Sequence, residues 1–187
     1  MNYYGSKDLA AAFRTVRNNT IKIAEEIPED KYSFRPAEGC RSVGETLVHI
    51  AVMPRIQEQV HFVEHRDTLV GLDFMAIIGG IMAEEQKPRT KAEILDLLHT
   101  TGEKYAQALE GVSEEMLGQR VQMPEGMTPP SKSRFEMMMA PKEHEMHHRG
   151  QLMTMQRMLG MTNHLTRQMN ERMAQMKAQM AQAKASN

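Results

Sequence analysis

At Ser42, Thr90 and Ser133 the chain sets a hydroxyl residue three positions ahead of a glutamate, in SVGE, TKAE and SRFE. At that spacing the hydroxyl and the carboxylate each satisfy one of the backbone N–H groups that a helix start leaves unpaired. Apolar residues recur at helical spacing after the first two starts: Val43, Leu47, Ile50 and Ala51 after the first, and Ile94, Leu97, Leu98, Tyr105 and Leu109 after the second. A further stripe, Leu9, Phe13, Val16, Thr20, Ile23 and Ile27, precedes them, with Ser6 as its expected N-cap and Pro28 as its stop. These patterns predict four amphipathic helices, and strand signals are nearly absent. The expected fold is all-α, a four-helix bundle. No internal repeat at solenoid periods is present.

The segments between the helices read differently. Residues 28–41 carry two prolines and a glycine and read as a loop. The helix opened at Ser42 is expected to reach about residue 66 with a kink at Pro54. Residues 67–88 are ambiguous, with DFMAIIGGIMAEE able to form a short helix broken at Gly79-Gly80. Residues 111–132 hold three prolines and three glycines and read as a long loop with room for a helical turn or a strand. The helix opened at Ser133 should run to about Gly160, with Pro141 able to kink or restart it. Beyond it, Leu165, Met169, Met173, Met176 and Met180 form one more helical stripe that packs on the bundle or pairs with another chain. The expected division is therefore residues 1–162 as the bundle domain and 163–187 as a helical extension.

Charge and composition narrow the function. With 23 basic and 24 acidic residues the net charge is −1, so no basic excess is available to neutralise phosphates, and a nucleic-acid partner is not expected. The opening MNYYGSKDLAAAF lacks the basic and apolar regions of a signal peptide. No apolar run approaches the ~18 residues of a membrane span, so no membrane partner is expected either. The single cysteine, Cys40, allows no intrachain disulfide, and a reducing cytoplasm is the expected compartment. Cys40 has no local base and is not expected to be a nucleophile. Fifteen of the nineteen methionines lie at or after Met116, which reads as adaptable core filling. No phosphate-binding glycine loop, nucleophile elbow or CxxC pair is present.

The chemistry-bearing stretch is HEMHHRGQ. His144 and His148 are four residues apart and so lie one above the other on a helix face, able to reach one ion. His147 lies about 100° round the helix from His148. Should Pro141 shift the register, His147 would take the place of His144. Two imidazoles hold a metal weakly, so a third is the test. His49 sits on the apolar face of the second helix, where a lone histidine is more often a hydrogen-bonded core residue. Beside a His-x3-His pair on a facing helix, it becomes a ligand candidate. Glu145 is expected to be solvated or a partner to a ligand, His147 and Arg149 to lie on the surface, and Gly150 to admit close packing. Gln151 is a candidate hydrogen-bond partner within the bundle or beside the ligands, and Arg149 a candidate for an anionic substrate. His61 and His65 share the four-residue spacing on a charged, solvated face, while His99 and His164 are isolated.

YSFRPAEGCRSVGETLVHIA followed by HEMHHRGQLMTMQRMLG resembles the DinB/YfiT-like family of metal-dependent enzymes over roughly residues 6–160. Most specific are the P…RSVGE…HI opening of the second helix and the HEMHHRGQ run. The resemblance implies a DinB/YfiT-like four-helix bundle and a divalent metal, zinc or nickel, on His49, His144 and His148 with water completing the coordination. It implies a homodimer and a small-molecule substrate. Some family members are thiol S-transferases using low-molecular-weight thiols such as bacillithiol or mycothiol, and others are hydrolases or isomerases. Arg149, Arg35 and Arg41 are then candidates for a thiol's carboxylates. The alternative is a non-catalytic stress-response or ligand-binding protein with a structural metal. A protein side chain in the fourth coordination position would favour that reading. The C-terminal helix exceeds the usual family core.

Overall fold

The computed structural model describes residues 4–185. Its frame is four long or kinked helical rods. Helix α1 (Ser6–Glu26) packs against α5 (Lys91–Glu110) and α7 (Arg134–Met158), and α2 (Val43–Val52) packs against the same two. The four close into a bundle, with α4 (Phe74–Glu85) leaning on α2. The three hydroxyl–glutamate starts form as reciprocal caps. At Ser42, for example, Glu45 donates its N–H to Oγ at 3.2 Å while its carboxylate accepts the Ser42 N–H at 2.8 Å. At α1 the cap is Gly5, whose N–H donates to Asp8 at 2.9 Å. Ser6 is already helical, so the cap falls one residue earlier than expected.

The interruptions differ in outcome. Pro54 ends α2, and the rod continues as α3 (Arg55–Glu58) and a wider π-turn over Gln59–Val63, which closes at His65 with φ +49°. Gly79 and Gly80, by contrast, do not break α4. Ile77, Ile78 and Ile81 on its inner side pack on the core, and that contact outweighs the roughly 1 kcal/mol each glycine costs a helix. Helix α7 runs unbroken through Pro141, whose ring is buried. The long connection holds α6 (Glu114–Gly118) and a small antiparallel pair, β1 (Arg120–Gln122) with β2 (Ser131–Ser133), in the register Val121 to Lys132. Helix α8 (His164–Ala185) follows a turn after α7. Its first turn is anchored by buried Asn163 and His164, but Met169, Met173, Met176 and Met180 are all exposed, so the stripe does not pack on the bundle. Among the described residues no helix is long and apolar enough to cross a membrane.

The described residues form three apolar core clusters, two of them large. One gathers Leu9, Phe13, Tyr105, Leu109 and Met138, the other Ile23, Ile27, Leu47, Ile50, Leu98 and Leu152. Between them in sequence on α1 and α7 stand Arg17 and Glu145, both buried. Glu145 is thus neither solvated nor turned away, as a residue next to His144 on a surface helix would be; it faces the bundle centre. Arg17 reaches all three other rods. Nε donates to both Glu145 oxygens, Nη1 to the Leu98 carbonyl at 2.8 Å, and Nη2 to the Ile50 carbonyl at 3.2 Å. The helical partner of the Ile50 carbonyl would be residue 54, a proline with no N–H, so Arg17 supplies the donor that Pro54 withholds. Gly102 gives the side chain passage: a Cβ there would stand 2.8 Å from Arg17 Cγ.

Candidate metal centre

His49 lies on the buried side of α2, one residue before the carbonyl that Arg17 holds, and faces α7. Across the gap, His144 and His148 project from α7 one turn apart. His144 Nε2 lies 3.1 Å from His49 Nε2 and 3.1 Å from His148 Nε2. The three ring centroids are 4.4–4.8 Å from one another. Pro141 does not rotate His144 off this face. His147 stays exposed and, among the described residues, meets Gln151 and the edge of His148.

The hydrogen bonds behind the rings decide which nitrogens carry lone pairs. His49 Nδ1 is 2.6 Å from Glu85 Oε1, which as a carboxylate oxygen only accepts, so Nδ1 bears the hydrogen. His148 Nδ1 is 2.8 Å from Gln151 Oε1, and the Gln151 amide nitrogen points to His147 at 3.2 Å, so His148 Nδ1 is a donor too. Both Nε2 atoms are therefore bare acceptors, and both face the Nε2 of His144. A single hydrogen on His144 could serve only one of them. Protonation offers no relief: burial first, then the neighbouring His148 and His49, push the His144 pKa down to about 3, and burial also lowers His49 and His148. Whichever nitrogen of His144 carries its hydrogen, at least one bare Nε2 lone pair is left facing this point without a donor, and a cation among the three rings would satisfy all of them.

The residues present fit a divalent metal. Zinc–imidazole bonds of about 2.0–2.1 Å in a tetrahedron put the nitrogens about 3.3 Å apart, close to the spacing here. The carboxylate behind His49 and the amide behind His148 are the usual means of fixing a metal-bound imidazole. Among the described residues no fourth His, Cys, Asp or Glu joins the cluster.

Glu85, at the end of α4, is the member that sequence reasoning did not find. Its segment lacked a clear helical assignment, and the residue lies 36 positions from His49. Its second oxygen accepts from Arg41 Nε at 2.8 Å. An added Cβ on Gly150 would meet nothing within 4 Å, so this glycine is not a packing contact. His61 is not on a solvated face but fully buried, bonded through Nδ1 to Arg134 at 2.8 Å and through Nε2 to Gln57 at 3.0 Å, while His65 is exposed and takes no part. The buried side chain of His164 bonds to Asn19 at 3.1 Å. Arg149 is half-buried rather than free on the surface, and Arg35 is engaged by Glu45.

Two cavities adjoin the histidines. One of about 640 Å³ is lined by His148, Gln151, Arg41 and Cys40 among others, and one of about 330 Å³ by His49, Glu85, Arg41 and apolar residues of α4. Both lie in or near the size range of small-molecule sites.

Comparison with known proteins follows the same line. The DinB family model matches residues 1–181. The chain belongs to the DinB family. It is 26% identical over 157 residues to the uncharacterized protein YjoA of Bacillus subtilis (strain 168), covering 84% of this chain and 92% of that one. The crystal structure of YjoA, a DinB-like protein, superposes with a TM-score of 0.60 at 25% identity, over 82% of this chain and 93% of that one. A DinB-like protein from Bacillus cereus ATCC 10987 gives 0.65 at 16% identity, over 87% and 97%. YfiT from B. subtilis, described as a probable metal-dependent hydrolase with an unusual four-helix bundle topology, gives 0.63 at 12%, over 84% and 89%. At those last two identities the likeness is one of fold: this DinB-family protein is a four-helix bundle of that type.

Proposed function

We propose that this DinB-family protein is a metal-dependent enzyme whose divalent cation, zinc or nickel, is held by His49, His144 and His148. The observation that carries the reading is the convergence of three Nε2 atoms, two of them fixed as acceptors by Glu85 and Gln151. His49, His144 and His148 would hold the ion, and the ion would supply the Lewis acidity that makes a thiol or water nucleophilic near neutral pH, for transfer to, or hydrolysis of, a small molecule. The chain's own groups do the positioning. Glu85 and Gln151 hold two ring planes, burial keeps all three imidazoles unprotonated, and the 640 Å³ cavity beside His148 gives a reactant its approach. The description of YfiT as a probable metal-dependent hydrolase supports the class of activity. A purely structural metal would call for a protein side chain closing the fourth position; a cavity against the ligands favours the catalytic reading. We also propose a cytoplasmic protein, consistent with its lone exposed Cys40, and a homodimer, which rests on the family resemblance alone.

The test is metal content by elemental analysis of untagged protein and of the alanine variants of His49, His144, His147 and His148. Near one equivalent is expected in the parent and in His147→Ala, with loss in the other three. A folded parent that stays metal-free after incubation with zinc or nickel would sink the proposal.

A further inference from the structure

Arg17 and Glu145 are charged residues in the bundle interior, and both are buried. Taking two charges out of water costs about as much as their attraction returns, so apolar residues of similar volume would hold these helices together as well or better. What apolar residues do not supply is direction. Burial follows area and is indifferent to a small slide of one helix along another, whereas a hydrogen-bonded guanidinium has one register.

The register it fixes is that of the two helices that carry the histidines. Glu145 follows His144 and precedes His148 by three residues on α7, and its carboxylate accepts from Arg17 Nε at 3.0 and 3.1 Å. On α2 the Met53 N–H donates to the His49 carbonyl at 3.1 Å and closes the helix. The next carbonyl, that of Ile50, has no helical donor because residue 54 is proline, and Arg17 Nη2 donates to it at 3.2 Å. One planar group therefore joins the backbone beside His49 to the side chain beside His144. The group is itself held from two other helices. Its Nη1 donates to the Leu98 carbonyl at 2.8 Å and to Thr101 Oγ1 at 3.2 Å on α5, and its carbon lies 5.3 Å from the ring centre of Phe13 on α1. The stem passes Gly102, where an added Cβ would stand 2.8 Å from Cγ, so it has little freedom to swing.

Metal coordination is sensitive to this register. A metal–imidazole bond tolerates about 0.2 Å, so a slide of about 1 Å between α2 and α7 would take His49 out of reach of an ion held by His144 and His148. We infer that the Arg17–Glu145 pair is the positioning device of the metal centre, setting α2 against α7 and with it the distance of His49 from the other two histidines. The inference rests on the proposed metal centre and adds to it two positioning residues, neither of which is a ligand.

The experiment measures zinc affinity of the folded full chain by competition with a chromogenic chelator, beside urea unfolding of the metal-free form. Arg17→Met/Glu145→Leu keeps the bulk and removes the direction. It is expected to stay folded with much of the parent's stability, yet to bind zinc about 10–100-fold more weakly. Gly102→Ala leaves both charges in place but displaces the Arg17 stem, and should weaken zinc by about threefold or more. Leu109→Ala, roughly 10 Å along α5 from Gly102, opens a cavity in the apolar cluster around Leu9 and Phe13. It should lower the urea midpoint and leave zinc affinity within about twofold of the parent. A folded double variant with parent affinity would overturn the inference. So would an equal fall in Leu109→Ala, since affinity would then follow stability and not position. Should the double variant fail to fold, Gly102→Ala decides alone, and parent affinity there overturns the assignment. A parent that binds no zinc would instead remove the metal centre, a result distinct from each of these.

Discussion

The guanidinium of Arg17 lies with Nε 3.0 and 3.1 Å from the two carboxylate oxygens of Glu145, in a pair that is 3% and 1% exposed. Glu145 follows a proposed ligand on α7, and Arg17 also holds the carbonyl of Ile50, which follows His49 on α2. One buried cation thus ties the two helices that carry the histidines.

Breaking this pair from one side should cost far more than removing both halves. Arg17→Met or Glu145→Gln leaves a buried partner unmatched, and each is expected to lower unfolding free energy by about 3–5 kcal/mol. The double variant Arg17→Met/Glu145→Leu should recover much of that. Gly102→Ala, which pushes on Arg17 Cγ, should cost about 1–3 kcal/mol. Urea unfolding of the four variants decides it; additive losses in the double variant would show that the pair does not act as a unit.

Glu85 should matter to metal affinity more than to folding. Glu85→Gln keeps the shape but replaces the charged acceptor of the His49 Nδ1–H, and weakens the hold on Arg41. Affinity for zinc, read by competition with a chromogenic chelator, is expected to fall about 10–100-fold with little change in urea midpoint. Parent-like affinity would mean that Glu85 is only the ion-pair partner of Arg41.

The bundle was readable because local and global signals agree in it. The reciprocal caps at Ser42, Thr90 and Ser133 and the stripes that follow them each fix a helix start and a buried face, and the same faces carry His49, His144 and His148. What was not readable depends on contacts between distant segments. Nothing local to Glu85 marks it as the partner of His49, because α4 is apolar nearly all round and holds its place through tertiary packing. Glu145 and His61 look like surface residues in charged stretches; only the arrival of Arg17 and of Arg134 makes their burial affordable. Propensity alone allows a kink or restart at Pro141 and a break at Gly79-Gly80, and in both helices tertiary packing overrides it.

The far part of α8 should be dispensable for folding. Its methionines from Met169 to Met180 are exposed, and the turn that anchors it is complete by Thr166, whose N–H the Asn163 side chain accepts at 3.0 Å. A chain ending at Arg167 is expected to unfold within about 0.5 kcal/mol of the parent at equal protein concentration. A larger loss that grows on dilution would place the methionine stripe at a contact between chains.

Acid should weaken the metal-free protein through His61. Burial first, and then the charge of Arg134, push its pKa down to about 4 from an ordinary value near 6.5. As pH falls through 6.5 the unfolded chain takes up a proton on this ring and the folded chain does not. The stability that His61 contributes is therefore complete above pH 6.5 and is lost as pH falls towards 4, to a limit on the order of 3 kcal/mol. The same direction holds for His49, His144 and His148, so the contribution of His61 must be isolated by difference. His61→Gln offers Arg134 an amide oxygen that does not titrate. Urea midpoints of metal-free parent and variant, followed from pH 7 to pH 4.5, should fall less steeply in the variant, by close to one proton. Parallel curves would mean that His61 takes up its proton in the folded chain as readily as in the unfolded one, and that Arg134 swings away to allow it.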